Sequence, residues 1–235
     1  MTPVRSSYET RRGEIETYFD RTAVDAWKRL TSTGKVSGIR ATVRAGRERM
    51  RHLLVSWLPA DLTGTRVFDA GCGTGLLSRD AAQRGADVLG VDLSPSLVAV
   101  AQESNANGLK PGSAAYQAGD MLEAAHGRFD YIVAMDSLIH YRTPDMVAAL
   151  ARLAPRCDRS LLFTFAPRSP ALSAMHFAGR LFPRSDRAPA IEPVSETQLR
   201  QLIAALPGLA GWRVARTERV VSGFYTSQAV ELVRQ

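Results

Sequence analysis

Val67-Phe68-Asp69-Ala70-Gly71-Cys72-Gly73-Thr74-Gly75 is the stretch from which the chain is read. The apolar run over 65–70 predicts a buried strand, the glycines predict a tight turn, and 76–84 predicts a helix. Glycine at such a turn lets a ligand approach the backbone closely and lets the helix pack tightly. A turn of this kind serves a nicotinamide dinucleotide, a nucleoside triphosphate or S-adenosylmethionine. No Lys-Ser/Thr follows the last glycine, which excludes a P-loop. The dinucleotide fingerprint needs glycine or alanine three residues after the second glycine, and Leu76 stands there. Asp69, just before the turn, is a poor neighbour for a pyrophosphate and a good one for an ammonium group.

Outward from the turn, strands and helices alternate. A second strand is expected at 86–91, then a helix at 94–107 with Ser94 as cap and Pro95 in its first turn. Further strands are expected at 114–118, 129–134 and 160–166, with a helix at 143–154. Such alternation gives an α/β protein whose parallel sheet is covered on both faces. Before the turn, Ile39, Val43, Met50, Leu53, Leu54 and Trp57 fall on one face of a helix that Pro59 ends. A shorter helical pattern runs through Tyr18, Val24, Trp27 and Leu30. Five prolines interrupt 167–194, with a short helix expected at 173–182, and an excursion of that length is usually functional. A helix at 196–206 capped by Ser195 and two strands at 212–220 and 224–232, read as an edge hairpin, complete the chain.

At 235 residues, 45% hydrophobic and 23% charged, the chain suits one globular domain. Two cysteines, Cys72 and Cys157, one of them inside the turn, point to a reducing compartment rather than a disulfide scaffold. Polar residues through 1–12 and the lack of a long apolar run lead to the expectation of a cytoplasmic protein. No cysteine or histidine cluster has metal-ligand spacing. The net charge of +7 is uneven: +6 over 1–60, −5 over 61–151 and +5 over 152–187. Basic flanks suit an anionic partner, and equally a solvated surface.

Two further carboxylates sharpen the reading. Asp92 ends the second strand and Asp120, within Gly119-Asp120-Met121, follows the third. Strand ends of an open parallel sheet share one carboxyl edge, where ligands bind. There Asp92 can accept both ribose hydroxyls of an adenosine, and Asp120 the adenine amino group, with a neighbouring N–H donating to the ring. VFDAGCGTG with Asp92 and Asp120 resembles the class I S-adenosylmethionine-dependent methyltransferases, over about residues 60–165. That family has a Rossmann-like seven-stranded sheet in the order 3-2-1-4-5-7-6. The resemblance implies S-adenosylmethionine at Asp69, Gly71, Cys72, Gly73, Gly75, Asp92, Leu93, Asp120, Met121 and Met135, with S-adenosylhomocysteine as product.

A narrower resemblance spans nearly the whole chain. Tyr18-Phe19-Asp20, Trp27-Lys28-Arg29-Leu30, Val36 to Arg40, Arg44 to Arg47, Ser137-Leu138-Ile139-His140-Tyr141, Phe163 to Pro167, Gly179 to Ile191 and Gly223 to Gln228 are similar to the magnesium-protoporphyrin IX methyltransferase family. The likeness implies methylation of a propionate of Mg-protoporphyrin IX, in chlorophyll or bacteriochlorophyll synthesis. It divides the chain into a helical lid at 1–59, a cofactor-binding core at 60–166, a cap at 167–194 and a completing segment at 195–235. It places Tyr18 near the cofactor and His140 facing the acceptor as the catalytic pair. Arg40, Arg44, Tyr141, Arg168 and His176 are the substrate-binding candidates, with Arg47, Arg184 and Arg187 among further arginines for the carboxylates. No protein metal site is expected, since magnesium would arrive with the substrate. The likeness also implies contact with magnesium chelatase and a loose attachment to a membrane, with no nucleic acid bound. Two alternatives stand beside it. One is a methyltransferase with a quinone or phenol acceptor, and the other an RNA-binding protein on the same scaffold.

Overall fold

The computed structural model describes residues 6–21, 38–106, 108–168 and 190–235. Two helices come first, α1 (Ser7–Arg21) and α2 (Ile39–Trp57). The alternating part follows as β1 (Arg66–Ala70), α3 (Leu76–Gln83), β2 (Asp87–Asp92), α4 (Pro95–Ser104), β3 (Ser113–Ala118), β4 (Phe129–Ala134), α5 (Thr143–Leu153) and β5 (Cys157–Phe165). The chain closes with α6 (Glu196–Ala205), β6 (Trp212–Ser222) and β7 (Tyr225–Arg234).

These strands form one seven-stranded sheet in the order β3-β2-β1-β4-β5-β7-β6. β1 to β5 run parallel, with Val67 beside both Val88 and Tyr131. β7 is antiparallel to β5, with Phe163 beside Val230, and β6 is the antiparallel edge strand. The expected order and edge hairpin are therefore present. The hairpin strands reach Ser222 and Arg234, beyond the expected ends, through the added pairs Ser222–Tyr225 and Trp212–Arg234.

Period-two alternation divides each strand between two cores. Phe68, Ile132, Phe163 and Leu232 face α5 and α6, with Leu150, Leu153 and Ile203. Val67, Val88, Val133 and Leu162 face α2 and α3, with Met50, Leu54 and Ala81. Burying side chains of this size contributes roughly 1.5–3 kcal/mol each. The helix starts follow their caps. Ser94 Oγ accepts from the Leu97 amide and Ser195 Oγ from the Gln198 amide, each at 3.2 Å.

α2, within the span expected to form a lid over 1–59, packs on the sheet with Met50 and Leu54 fully buried. The apolar stripe that predicts the helix also seats it in the core. α1 begins at Ser7, within a stretch read as merely polar. Val24, Trp27 and Leu30 lie outside the described residues, as do the helix expected over 173–182 and most of the cap. The ends of that excursion meet: Val194 N donates to Ala166 O, and Arg168 N to Val194 O, each at 3.0 Å.

Gly46 sits inside α2, where a glycine normally weakens a helix. A Cβ there would lie 2.4 Å from Tyr225 Cδ1 and 2.7 Å from Tyr225 Cβ, so the glycine admits the tyrosine ring. Gly46→Ala should therefore destabilise the protein by about 1–3 kcal/mol, the usual cost of overpacking. Helix propensity alone argues the other way, by about 1 kcal/mol. Denaturant midpoints of the two proteins decide it, and a more stable variant would show that the Tyr225 contact is loose.

Candidate active site

The carboxyl ends of β1, β2, β3 and β4 surround a cavity open to solvent. The glycine turn forms one side. Gly71, Gly73 and Gly75 all take positive φ, at 89°, 54° and 78°. At Gly71 a Cβ would come within 2.3 Å of Ser137 Cβ, so only glycine lets the loop after β4 close against the turn. Gly71 and Gly73 line the cavity, with Asp92 and Leu93 after β2, Gly119, Asp120 and Met121 after β3, and Met135, Asp136 and Ser137 after β4.

Asp92 binds two backbone amides, Gly73 N to Oδ2 at 2.9 Å and Ser94 N to Oδ1 at 3.0 Å. Burial pushes its carboxyl above the ordinary range, against those amides. Asp92 is in the cavity wall, and a carboxylate has roughly four acceptor sites, more than these two amides fill.

Asp69 is placed differently from the expectation. It is 1% exposed, lies behind the turn rather than in the wall, and accepts from Ser78 Oγ at 2.6 Å. Burial raises its carboxyl to about 7. β1 alternation aims this side chain at α3, where the Ser78 bond braces the turn. Cys72 and Gly75 are likewise not in the wall. The Cys72 thiol is buried, and burial pushes its pKa well up. Gly75 abuts Tyr116, whose hydroxyl donates to Gly75 O at 3.3 Å.

α1 lies across the cavity mouth. Tyr8, Ile15 and Phe19 line the cavity from one helical face, spaced by seven and four residues. Tyr8 stacks on Tyr141 with centroids 4.7 Å apart, and its hydroxyl donates to Asp120 Oδ1 at 2.8 Å. Arg12 Nη1 meets Asp120 Oδ2 at 2.8 Å, and the Leu122 amide adds a third bond to this carboxylate at 2.9 Å. Burial alone would raise Asp120, but the Leu122 amide, Tyr8 and Arg12 outweigh it and hold the carboxyl below its usual range. Asp120, expected to receive an adenine amino group, is thus largely engaged by α1. Farther along the helix, Asp20 accepts from the Ser96 amide at 3.0 Å, tying α1 to the start of α4.

His140 and Tyr141 line the cavity, both buried. Tyr18 does not. Its neighbour Phe19 points inward and meets the His140 ring edge-on at 5.7 Å, while Tyr18 lies half-buried to the side. A helix turns about 100° per residue, so both cannot face the cavity. Arg44 lies outside the wall, one turn before Arg47, which is in it. Arg168 is exposed and outside the wall. His176, Arg184, Arg187 and the Arg40 side chain lie outside the described residues. Sequence reasoning missed Tyr8, Ile15, Phe19 and Asp136. The first three share a spacing that a helical wheel over 7–21 shows, whereas nothing local marks Asp136.

Against known proteins, residues 134–234 match the family model described as magnesium-protoporphyrin IX methyltransferase C-terminus, and 67–158 match a methyltransferase domain. A magnesium-protoporphyrin O-methyltransferase of Rhodobacter capsulatus is 46% identical over 96% of this chain and 98% of its own. A crystal structure of magnesium protoporphyrin IX methyltransferase from Synechocystis PCC 6803 with bound SAH superposes with a TM-score of 0.83 at 32% identity. It covers 95% of this chain and all of its own. A ubiquinone biosynthesis O-methyltransferase of Xanthomonas oryzae is 36% identical, over 53% of this chain and 54% of its own.

Asp69 also sets a pH dependence. Its folded pKa, about 7, lies above the ordinary carboxylate range, so folding disfavours its ionised form. Its stability contribution is full below the unfolded pKa and is lost as pH rises through the folded one. The stability of the wild type relative to Asp69→Asn should therefore fall between about pH 4 and about pH 7 and stay level above that. Parallel denaturation series measure it, and a difference constant across that range contradicts the raised pKa.

Proposed function

The chain belongs to the magnesium-protoporphyrin IX methyltransferase family, and from that membership we infer that it transfers the methyl group of S-adenosylmethionine to a propionate carboxylate of Mg-protoporphyrin IX. The product is the monomethyl ester, and the step belongs to chlorophyll or bacteriochlorophyll synthesis. The observation that carries this reading is likeness along nearly the whole chain, beyond the core shared with other methyltransferases. The ubiquinone-type relative matches only about half, so nothing specific favours a phenol acceptor, and no feature of the cavity favours RNA.

The wall suits the donor. Asp92 offers acceptors for ribose hydroxyls, the Gly71 cradle excludes any side chain, and Leu93, Leu97 and Met121 supply an apolar side for the adenine. When bound, S-adenosylmethionine supplies a methyl group activated by its sulfonium. A propionate side chain resembles that of glutamic acid, whose reference pKa is about 4.3, and is ionised near neutrality, so the acceptor needs no base. The chain's task is alignment, for which well-oriented reactants gain roughly 7–11 kcal/mol. His140 is assigned to orient the acceptor carboxylate, supported by its buried place on the wall. Tyr8 and Tyr141 are unsuited to act as bases, since burial raises both phenols. Ile15 and Phe19 shield the cavity from water. Tyr18 is retained as a second-line candidate that supports Phe19, at a ring distance of 5.1 Å.

No helix of the described residues is long and apolar enough to cross a membrane. Cytoplasmic placement, contact with magnesium chelatase and peripheral attachment to a membrane belong to this reading as proposals. The exposed Val221 and Phe224 at the β6–β7 tip are the apolar side chains that a surface would meet.

Labelled S-adenosylmethionine with Mg-protoporphyrin IX, metal-free protoporphyrin or a catechol tests the assignment. The magnesium porphyrin should be labelled fastest. Labelling of the catechol alone would overturn the acceptor class. In the same assay His140→Asn should lower kcat about 10- to 100-fold, the loss of one hydrogen bond to a charged group. An unchanged kcat would remove His140 from the reaction.

A further inference from the structure

Asp136 is the one non-glycine residue with positive φ among those described, at 52°. Backbone of this kind persists where its surroundings over-determine it, and it clusters at functional sites. Its side chain is 2% exposed yet takes part in the cavity wall. Three hydroxyls converge on it. Tyr225 Oη donates at 3.0 Å to Oδ2, and Ser227 Oγ and Thr164 Oγ1 each donate at 3.1 Å to Oδ1. Arg47 Nη1 lies 3.3 Å from Oδ2. β5, β7 and α2 are thereby tied to one loop, and Gly46 makes room for the tyrosine.

Three hydroxyl donors go far to satisfy a buried carboxylate, so Arg47 is more than a solvating group. Its side chain is 21% exposed and lines the same cavity as Ser137 and His140. Among the described wall residues it carries the one permanent positive charge, against Asp92, Asp120 and Asp136. An anionic acceptor entering such a cavity needs a cation. A fully available guanidinium would grip the reacting carboxylate bidentately and hold it in the ground state.

We propose that Arg47 binds the acceptor carboxylate while Asp136, by sharing the guanidinium, keeps that grip loose enough for the carboxylate to react. Arg47 is then a substrate-binding residue and Asp136 a positioning residue acting through it. This rests on the carboxylate-methylation reading above and adds to it the residues that set the acceptor's binding strength.

The test is a KM-against-kcat split. Asp136→Asn preserves shape, and asparagine tolerates the left-handed backbone. It should lower KM for Mg-protoporphyrin IX and lower kcat, because Arg47 then holds the carboxylate without competition from the Asp136 charge. Structural damage would raise KM. Arg47→Gln should raise that KM about tenfold, the loss of one charge-assisted hydrogen bond, with calorimetric affinity for S-adenosylhomocysteine unchanged. Should Asp136→Asn fail to fold, Arg47→Gln still tests the clamp. A rise or no change in KM for Asp136→Asn, or no change for Arg47→Gln, overturns the proposal. A wild type that methylates no porphyrin overturns the underlying reading. Fluorescence quenching of bound porphyrin by the three proteins then still reports on Arg47, so the two failures are distinguishable.

Discussion

The Gly73 amide donates to Asp92 at 2.9 Å, and this bond joins the first two strand ends into one rim. It forms because Gly73 takes a positive φ that turns its N–H away from the sheet and toward β2. The Gly71 and Cys72 amides bind Val91 O at 2.8 and 3.1 Å, strapping the turn to the end of β2 at three points. A ligand meeting Asp92 therefore meets a carboxylate already oriented, so little ordering remains for binding to supply. The loop after β4 packs on the same turn through Ser137, whose hydroxyl donates to Ala70 O at 2.7 Å. The cofactor side and the acceptor side of the cavity are thus referred to one short piece of backbone.

The charge pattern of the cavity follows from chemistry with a cationic donor and an anionic acceptor. Carboxylates at the ends of β2 and β3 suit a ligand bearing a sulfonium and ribose hydroxyls. A compensated guanidinium on α2 suits a carboxylate arriving from the other side. Neither reactant needs a strong base, which agrees with a wall whose phenols are held protonated by burial. Rate is then sought through alignment and exclusion of water, and α1, with Tyr8, Ile15 and Phe19, is the element that closes the mouth.

Sequence reading reached furthest where the signal is local. The Ser94 and Ser195 caps, the glycine turn and the apolar run of β5 each announce themselves within a few residues, and the sheet order came with the family likeness. It reached less far where partners are distant. Asp136 gathers donors from positions 47, 164, 225 and 227, a constellation that no window of sequence displays. α1 falls within the span expected to be helical, but its cavity face escaped because it has only three apolar residues, too few to stand out. Asp69 stands next to the turn in sequence, and adjacency alone does not show that β1 alternation aims its side chain at Ser78. Tyr18 and Phe19 show the same limit on a helix, where one residue of phase decides which side chain meets the cavity.

A crystal structure with bound S-adenosylhomocysteine examines the central claim most directly. The account predicts both ribose hydroxyls on the Asp92 carboxylate, the adenine between Leu93 and Met121, and the thioether sulfur facing Ser137 and His140. A ligand whose ribose lies away from Asp92, or whose sulfur points away from the loop after β4, would contradict it.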